Sequence, residues 1–337
     1  MAEMLCLSFE EVEGLARDAL LAAGTREVAA ASLARSVALT ERDGIRSHGL
    51  VYVPIYCQHV TCGKVDGQAV PKLHEIKPGA VRVDAANGFA QPAIDLGFER
   101  LADAARQNGC AVLTLYNSYN CGVLGQHVER LAAQGFLALG FTNAPASIAP
   151  PGGKRPVIGT NPFAVGVPGG DDSAALVIDQ SASVVAKSEV MMHARSGKPL
   201  PEGWALDAEG NPTTDPEAAL AGSMAPSGGY KGFGVGLLVE IMAAALSGAN
   251  LGTEASPFSG TSGGPPGTGQ GFIAIEPDGL SGGAFPGKIA ALCKSITEQE
   301  GARLPGARRF GNRRKNEGDG ISVDRELVEK SRALAGA

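Results

Sequence analysis

No apolar run in this 337-residue chain approaches the roughly 20 residues that a membrane-spanning helix needs. Basic residues are outnumbered: the formal net charge is −6, which leaves no cationic footprint for nucleic acid or an anionic lipid surface. Only six cysteines occur, and the one close pair, Cys57 and Cys62, lacks the second pair that would complete a zinc site. No metal ligand set is read from the sequence. Scattered cysteines without a signal segment point to reduced thiols in a cytoplasmic protein. The Walker pattern, the spaced glycines of a Rossmann turn and the Gly-x-Ser-x-Gly elbow of a hydrolase are all missing.

What remains is an ordinary globular balance, 44% hydrophobic and 19% charged, on a chain long enough for two compact units. Residues 8–43 read as two helices, the first opened by a Ser8–Glu11 capping box, and 50–60 as a third with Pro54 near its start. From residue 80 the pattern alternates: strands at 80–85, 110–115, 136–142, 163–167 and 175–178, with helices at 94–108 and 127–134. Strand–helix alternation predicts an α/β layer. Residues 197–230 read as loops, 233–247 and 287–300 as helices, and 272–275 as a strand after a Gly/Pro/Ser-rich connection. The charged tail after Gly311 is expected to fray at its end.

Arg46-Ser47-His48-Gly49 sets an imidazole at a bend, where it can exchange a proton near neutral pH. Adjacent residues on a helix do not face each other, so the pair works best where a helix ends; by itself it also fits a polar helix cap. Three glycine-rich segments, 152–154, 159–162 and 228–232, let backbone approach an anion, and Lys231 opens a helix after a glycine pair. Arg308 and Arg309 follow a tight turn, and paired guanidiniums match phosphate or remain solvated.

Together these segments resemble the type-2 malate/L-lactate dehydrogenases, a non-Rossmann group of NAD(P)-dependent oxidoreductases. The likeness is carried by Arg46-Ser47-His48-Gly49, Gly63-Lys64-Val65, Asn117-Ser118 with Gly122, Gly159-Thr160-Asn161-Pro162, Gly203-Trp204-Ala205-Leu206-Asp207, Pro212-Thr213-Thr214-Asp215-Pro216 and Gly229-Tyr230-Lys231-Gly232. Residues 81–92 are most similar to the Δ1-piperideine-2-carboxylate/Δ1-pyrroline-2-carboxylate reductases, which reduce a cyclic imine with NADPH. The resemblance implies a mixed-sheet cofactor domain (76–230), a helical domain built from both chain ends (1–75 with 231–337), and a homodimer acting on a small molecule.

It also implies roles. His48 gives a proton to the substrate nitrogen, with Ser47 as relay partner and Glu189 as the acidic relay member. Thr160 and Lys187 lie near the substrate, as does Tyr52, which stands where many members have a carboxylate-binding arginine. The cofactor falls to Asn120, Cys121, Gly122, Val123 and Leu124, to Asp179, Gln180 and Ser181, to Tyr230 and Lys231, and to Gly306, Ala307, Arg308 and Arg309. The paired arginines favour NADPH over NADH, and Cys121 is expected to be open to alkylation. Many members have a histidine at the place of Asn120, the acid/base of hydroxyacid oxidation, and Glu189 replaces a shorter aspartate. A 2-hydroxyacid dehydrogenase is the alternative, and a relative that binds without catalysis a third reading.

Overall fold

The computed structural model describes residues 3–169 and 173–336. Strand β1 (Met4–Leu7) leads into α1 (Phe9–Ala22), where Ser8 Oγ accepts the Glu11 N–H at 3.1 Å and the Glu11 carboxylate accepts the Ser8 N–H at 2.7 Å. This reciprocal cap satisfies two helix-start donors. Helix α2 (Glu27–Arg42) packs on α1, burying Leu33 and Val37 against Val12, Ala16 and Leu20. Two 3-10 turns, Arg46–His48 and Leu50–Tyr52, then precede α3 (Val53–Thr61), whose Pro54 sits in the first turn, where no N–H is needed.

The alternating region follows as β2 (Lys72–Lys77), β3 (Ala80–Asp84), α4 (Ala90–Asn108), β4 (Cys110–Ser118), α5 (Leu124–Ala132), β5 (Leu137–Thr142), β6 (Phe163–Pro168), β7 (Ala174–Gln180) and α6 (Lys187–Ser196). Helix α4 starts four residues before its sequence-predicted beginning at Ile94, because Pro92 falls inside the first turn and does not block it. The stretch read as loops contains β8 (Ala205–Leu206), β9 (Pro212–Thr213), α7 (Pro216–Ala221) and β10 (Ser223–Met224), whose strands form a small sheet. Helix α8 (Tyr230–Glu240) runs into a π turn, Ile241–Ala245.

The remaining elements are β11 (Thr268–Ile275), α9 (Pro277–Ser281), α10 (Phe285–Thr297), α11 (Ala307–Asp319), β12 (Ile321–Asp324) and α12 (Arg325–Ala335). The main sheet is mixed, seven-stranded, in the order β2-β3-β4-β11-β5-β6-β7, and only β3 and β4 pair in parallel. Its core gathers Ile94, Leu101, Leu113, Leu115, Val128, Leu131 and Phe272.

Two expectations are corrected here. Residues 231–337 do not all join the helical unit, since β11 is the middle strand of the sheet, hydrogen-bonded to β4 on one side and β5 on the other. The charged tail is fastened rather than frayed: β12 pairs with β1 from Met4↔Asp324 to Leu7↔Ile321, and Val328 of α12 is buried with α1.

His127 of α5 is buried between Phe98 and Phe272, with Nε2 2.9 Å from the Cys121 carbonyl and Nδ1 unpartnered. Burial pulls its pKa from 6.5 down to about 4. The unfolded chain therefore binds this proton first, so stability from the neutral ring is complete above pH 6.5 and drains away between 6.5 and about 4. The loss should reach about 3 kcal/mol at the acid end. Urea titrations at pH 7 and pH 4.5 should show it in the native chain and a shallower acid dependence in His127→Gln.

Candidate active site

The Ser-His motif lies where the helical unit meets the sheet. Ser47 Oγ and His48 Nδ1 are 2.9 Å apart, and the His48 ring stacks on Tyr52, 5.5 Å between centroids and 10° from parallel. The contact forms within the short 3-10 turn Arg46–His48, between neighbours in sequence. Burial lowers the His48 pKa below its ordinary 6.5, so the ring is neutral at neutral pH. Behind it, Tyr52 touches Tyr56, and Tyr56 meets Phe89 and Tyr119 edge-on.

A second group forms around the start of α5. Asn120 Oδ1 accepts the Gly122 N–H at 2.6 Å, which closes a tight turn and commits the Asn120 oxygen to the backbone. Asp179, at the end of β7, accepts the Gly125 N–H at 2.8 Å; the residue is exposed by surface, yet desolvation of its carboxylate raises its pKa, while that bond and Arg309 oppose the rise. The Gly306 turn rests on β7 through Pro305 O and the Val177 N–H at 3.3 Å. Expected cofactor residues from three distant segments thus converge.

Arg309 is engaged within the protein. It is buried, ion-paired to Glu129 and 3.6 Å from Asp43, while Arg313 bridges the same two carboxylates with 2.8 Å to Asp43 Oδ2. Its guanidinium is thereby spent inside the protein. Arg308 is exposed and, among the described residues, forms no ion pair.

A third group joins Thr160, Ser181 and the start of α8. The Ala182 N–H donates to Thr160 O at 2.7 Å and the Ser227 N–H to Ala182 O at 2.8 Å. Helix α8 begins at Gly229 without a side-chain cap, and Tyr230 is 70% exposed beside a cleft of about 250 Å³ that includes Lys154 and Glu209. A larger cleft of about 620 Å³ separates Pro145, Arg155 and Pro156 from Thr253 and Pro257. Lys187, exposed by surface, and Glu189 open α6, and partial desolvation lowers the pKa of the Lys187 amine. Among the described residues, no hydrogen bond or ion pair links either of them to the Ser47–His48 pair.

Cys121 is corrected outright. It is 2% exposed, and burial, first among several causes, pushes its thiol up to about 12. A neutral, covered thiol is a poor nucleophile.

Two residues given no role from sequence pack behind Tyr119 and the 257–260 loop. His59, fully buried, places Nδ1 2.5 Å from Tyr119 Oη and Nε2 2.9 Å from Gly260 O; the Lys64 ammonium donates to Pro257 O at 2.6 Å. Both hold the 257–260 loop against the helical unit, and the Gly63-Lys64-Val65 motif was the available signal.

Residues 7–331 match the malate/L-lactate dehydrogenase family. The chain belongs to this family of oxidoreductases. It is 44% identical to the (2R)-3-sulfolactate dehydrogenase (NADP(+)) of Chromohalobacter salexigens over 98% of both chains. With the Δ1-pyrroline-2-carboxylate reductase of Ancylobacter novellus it shares 38% identity over 99% of this chain and 98% of the relative. Its fold superposes on the crystal structure of the Δ1-piperideine-2-carboxylate reductase from Pseudomonas syringae pv. tomato with a TM-score of 0.93 at 35% identity, covering 98% of this chain and 99% of that one. The family resemblance read from the motifs holds.

Alkylation with iodoacetamide under native conditions should label the exposed Cys6, Cys62 and Cys110 and spare the buried Cys57 and Cys121. Peptide mass spectrometry would measure this, and both buried thiols should become labelled in denaturant.

Proposed function

We propose that this oxidoreductase reduces a cyclic imine carboxylate with NADPH, converting Δ1-pyrroline-2-carboxylate or Δ1-piperideine-2-carboxylate to L-proline or L-pipecolate. The observation that carries the reading is the Ser47–His48 contact of 2.9 Å on a ring that burial keeps neutral. With Nδ1 accepting the Ser47 O–H, Nε2 carries the ring's proton and can pass it to the substrate nitrogen. Ser47 then returns a proton to Nδ1 and takes one in turn from water, so neither the part-buried ring nor the serine is left charged. Asn120, tied to Gly122, offers no base for a substrate hydroxyl, which supports imine over hydroxyacid chemistry. Glu189, Lys187, Thr160 and Tyr52 are proposed to complete the substrate side.

The donor set suits NADPH. The uncapped start of α8, the exposed Tyr230 ring and the unpaired Arg308 can meet a phosphate-bearing, ring-bearing ligand, with the Asn120–Leu124 turn and Asp179–Ser181 beside them. When bound, NADPH supplies the hydride equivalent. Preference for the 2′-phosphate would rest on Arg308, because Arg309 is internally paired. A sheet with a single parallel pair supports a non-Rossmann cofactor unit, since the doubly wound fold is mostly parallel.

A second reading follows from the sulfolactate dehydrogenase relative at 44% identity: oxidation of a 2-hydroxy acid with NADP, in which His48 in the opposite tautomer, with Nδ1–H donating to Ser47 Oγ, accepts the hydroxyl proton at Nε2. The two readings share the coarser assignment of an NADP-linked enzyme on a small 2-substituted carboxylate. We also read the protein as a cytoplasmic homodimer. Leu237, Leu238, Ile241 and Leu246 leave an apolar face on α8 and its extension, and α10 buries none of its residues. Exposed apolar surface on this scale suits a second subunit.

Purified protein should oxidise NADPH when given the five- or six-membered imine, and His48→Ala should lose at least about 100-fold in kcat. A kcat/KM for 3-sulfolactate, malate or lactate with NADP that exceeds the imine values tenfold would instead establish the second reading. Arg308→Ala should raise the KM for NADPH about tenfold and leave that for NADH unchanged. Sedimentation velocity should show a dimer, and a monomer at micromolar concentration would refute the proposed assembly.

A further inference from the structure

We propose that Glu41 is a positioning residue for His48: its buried carboxylate fixes the chain reversal at Gly49, which aims the imidazole. The inference rests on His48 acting as the proton donor. Glu41 lies in the last turn of α2 and is 5% exposed. That is an adverse place for an acid, since burial disfavours the charge and the carbonyl end of a helix repels it. Burial accordingly raises its pKa, opposed by the Leu50 N–H and the Arg46 guanidinium. An acid kept at such a place needs a use that an apolar residue would not serve.

The use is visible in the backbone. Ile45 N–H donates to Thr40 O at 3.0 Å, His48 N–H to Ile45 O at 3.1 Å and Tyr52 N–H to Gly49 O at 3.0 Å. The Leu50 N–H, first donor of the second 3-10 turn, goes instead to Glu41 Oε1 at 2.7 Å. Gly49 joins the two turns at φ −90° and ψ −137°. A Cβ built on it would lie 2.0 Å from Glu41 Oε1 and 2.5 Å from its Cδ, so the carboxylate presses directly on the Gly49 backbone. One turn carries Ser47 and His48 and the other carries Tyr52, whose ring stacks on His48. Glu41 therefore sits beneath the joint between a proton donor and the ring that supports it. The role is one of reach and shape: an oxygen must arrive at Leu50 N–H from α2, whether or not it is charged.

That distinction sets the test. Glu41→Gln retains an oxygen at the same reach and should keep kcat within about threefold of the parent. Glu41→Asp retains the charge but withdraws the oxygen, and Glu41→Ala removes it; both should lower kcat about 10- to 100-fold, as for a reacting group displaced by an ångström or less. The KM for NADPH should stay within twofold in all three. Gly49→Ala, which drives a methyl into the carboxylate, should resemble Glu41→Ala. Circular dichroism and NADPH fluorescence titration would identify folded variants, and the Gln/Asp pair still decides the matter if Ala does not fold. Wild-type kcat in Glu41→Asp, or a Glu41→Gln as impaired as Glu41→Ala, overturns the proposal while an inactive His48→Ala leaves the proton-donor reading intact. An active His48→Ala overturns that reading first.

Discussion

The buried ion network of Asp43, Glu129, Arg309 and Arg313 is the constraint on which the site depends. Two carboxylates meet two guanidiniums there, Arg42 adds a third guanidinium 3.3 Å from Asp43, and the Asp43 side chain is wholly shielded from solvent. Asp43 ends α2 just before the Ser-His loop, Glu129 lies on α5 beyond the Asn120–Leu124 turn, and both arginines come from α11. Three segments far apart in sequence are thus pinned at one point. Taking away one member would strand a buried charge, a loss of about 3–5 kcal/mol, whereas the intact set is not for that reason a large net stabiliser. Its contribution is registry: it holds the end of α2, just before the Ser47–His48 turn, against α5, which follows the Asn120–Leu124 turn.

Around that pin the site is layered by chemistry. The aromatic group of Tyr52, Tyr56, Phe89 and Tyr119 excludes water behind His48, which keeps the ring neutral and makes a serine hydroxyl a sufficient partner. Tyr230 and Arg308, by contrast, are exposed. His59 and Lys64 tie the 257–260 loop to the same wall from beneath. The Ser47–His48 pair therefore faces a wall of packed rings, while Tyr230 and Arg308 face solvent.

Features governed by neighbours in sequence were legible in the chain. The Ser8–Glu11 cap, the amphipathic α1 and α2, the strand–helix alternation after residue 80 and the Ser47–His48 pair all express contacts within a few residues. Features governed by distant partners were not. Arg309 and Arg313 look solvated in an Arg-rich segment, because the carboxylates that bury them lie about 180 and 270 positions away. Strand β11 was only half visible because its first part is glycine-rich. A Cβ at Gly269 would fall 2.1 Å from Ala243 O, so those glycines admit the π turn against the strand instead of marking a loop. Cys121 was misjudged for a similar reason: nothing adjacent to it in sequence supplies its cover.

The placement of β11 has a consequence for how the protein is made. A ribosome emits β4 and β5 long before residues 268–275, yet those two strands meet only through β11. Until then the nascent chain carries a slot flanked by two unsatisfied hydrogen-bonding edges, the kind of surface that recruits stray strands. The sheet closes only when a late segment threads between early ones, a non-local step that slows folding. Mutations or pauses that delay emergence of residues 268–275 should therefore harm yield more than they harm the finished fold, and holding chaperones would be needed most for chains arrested before that point.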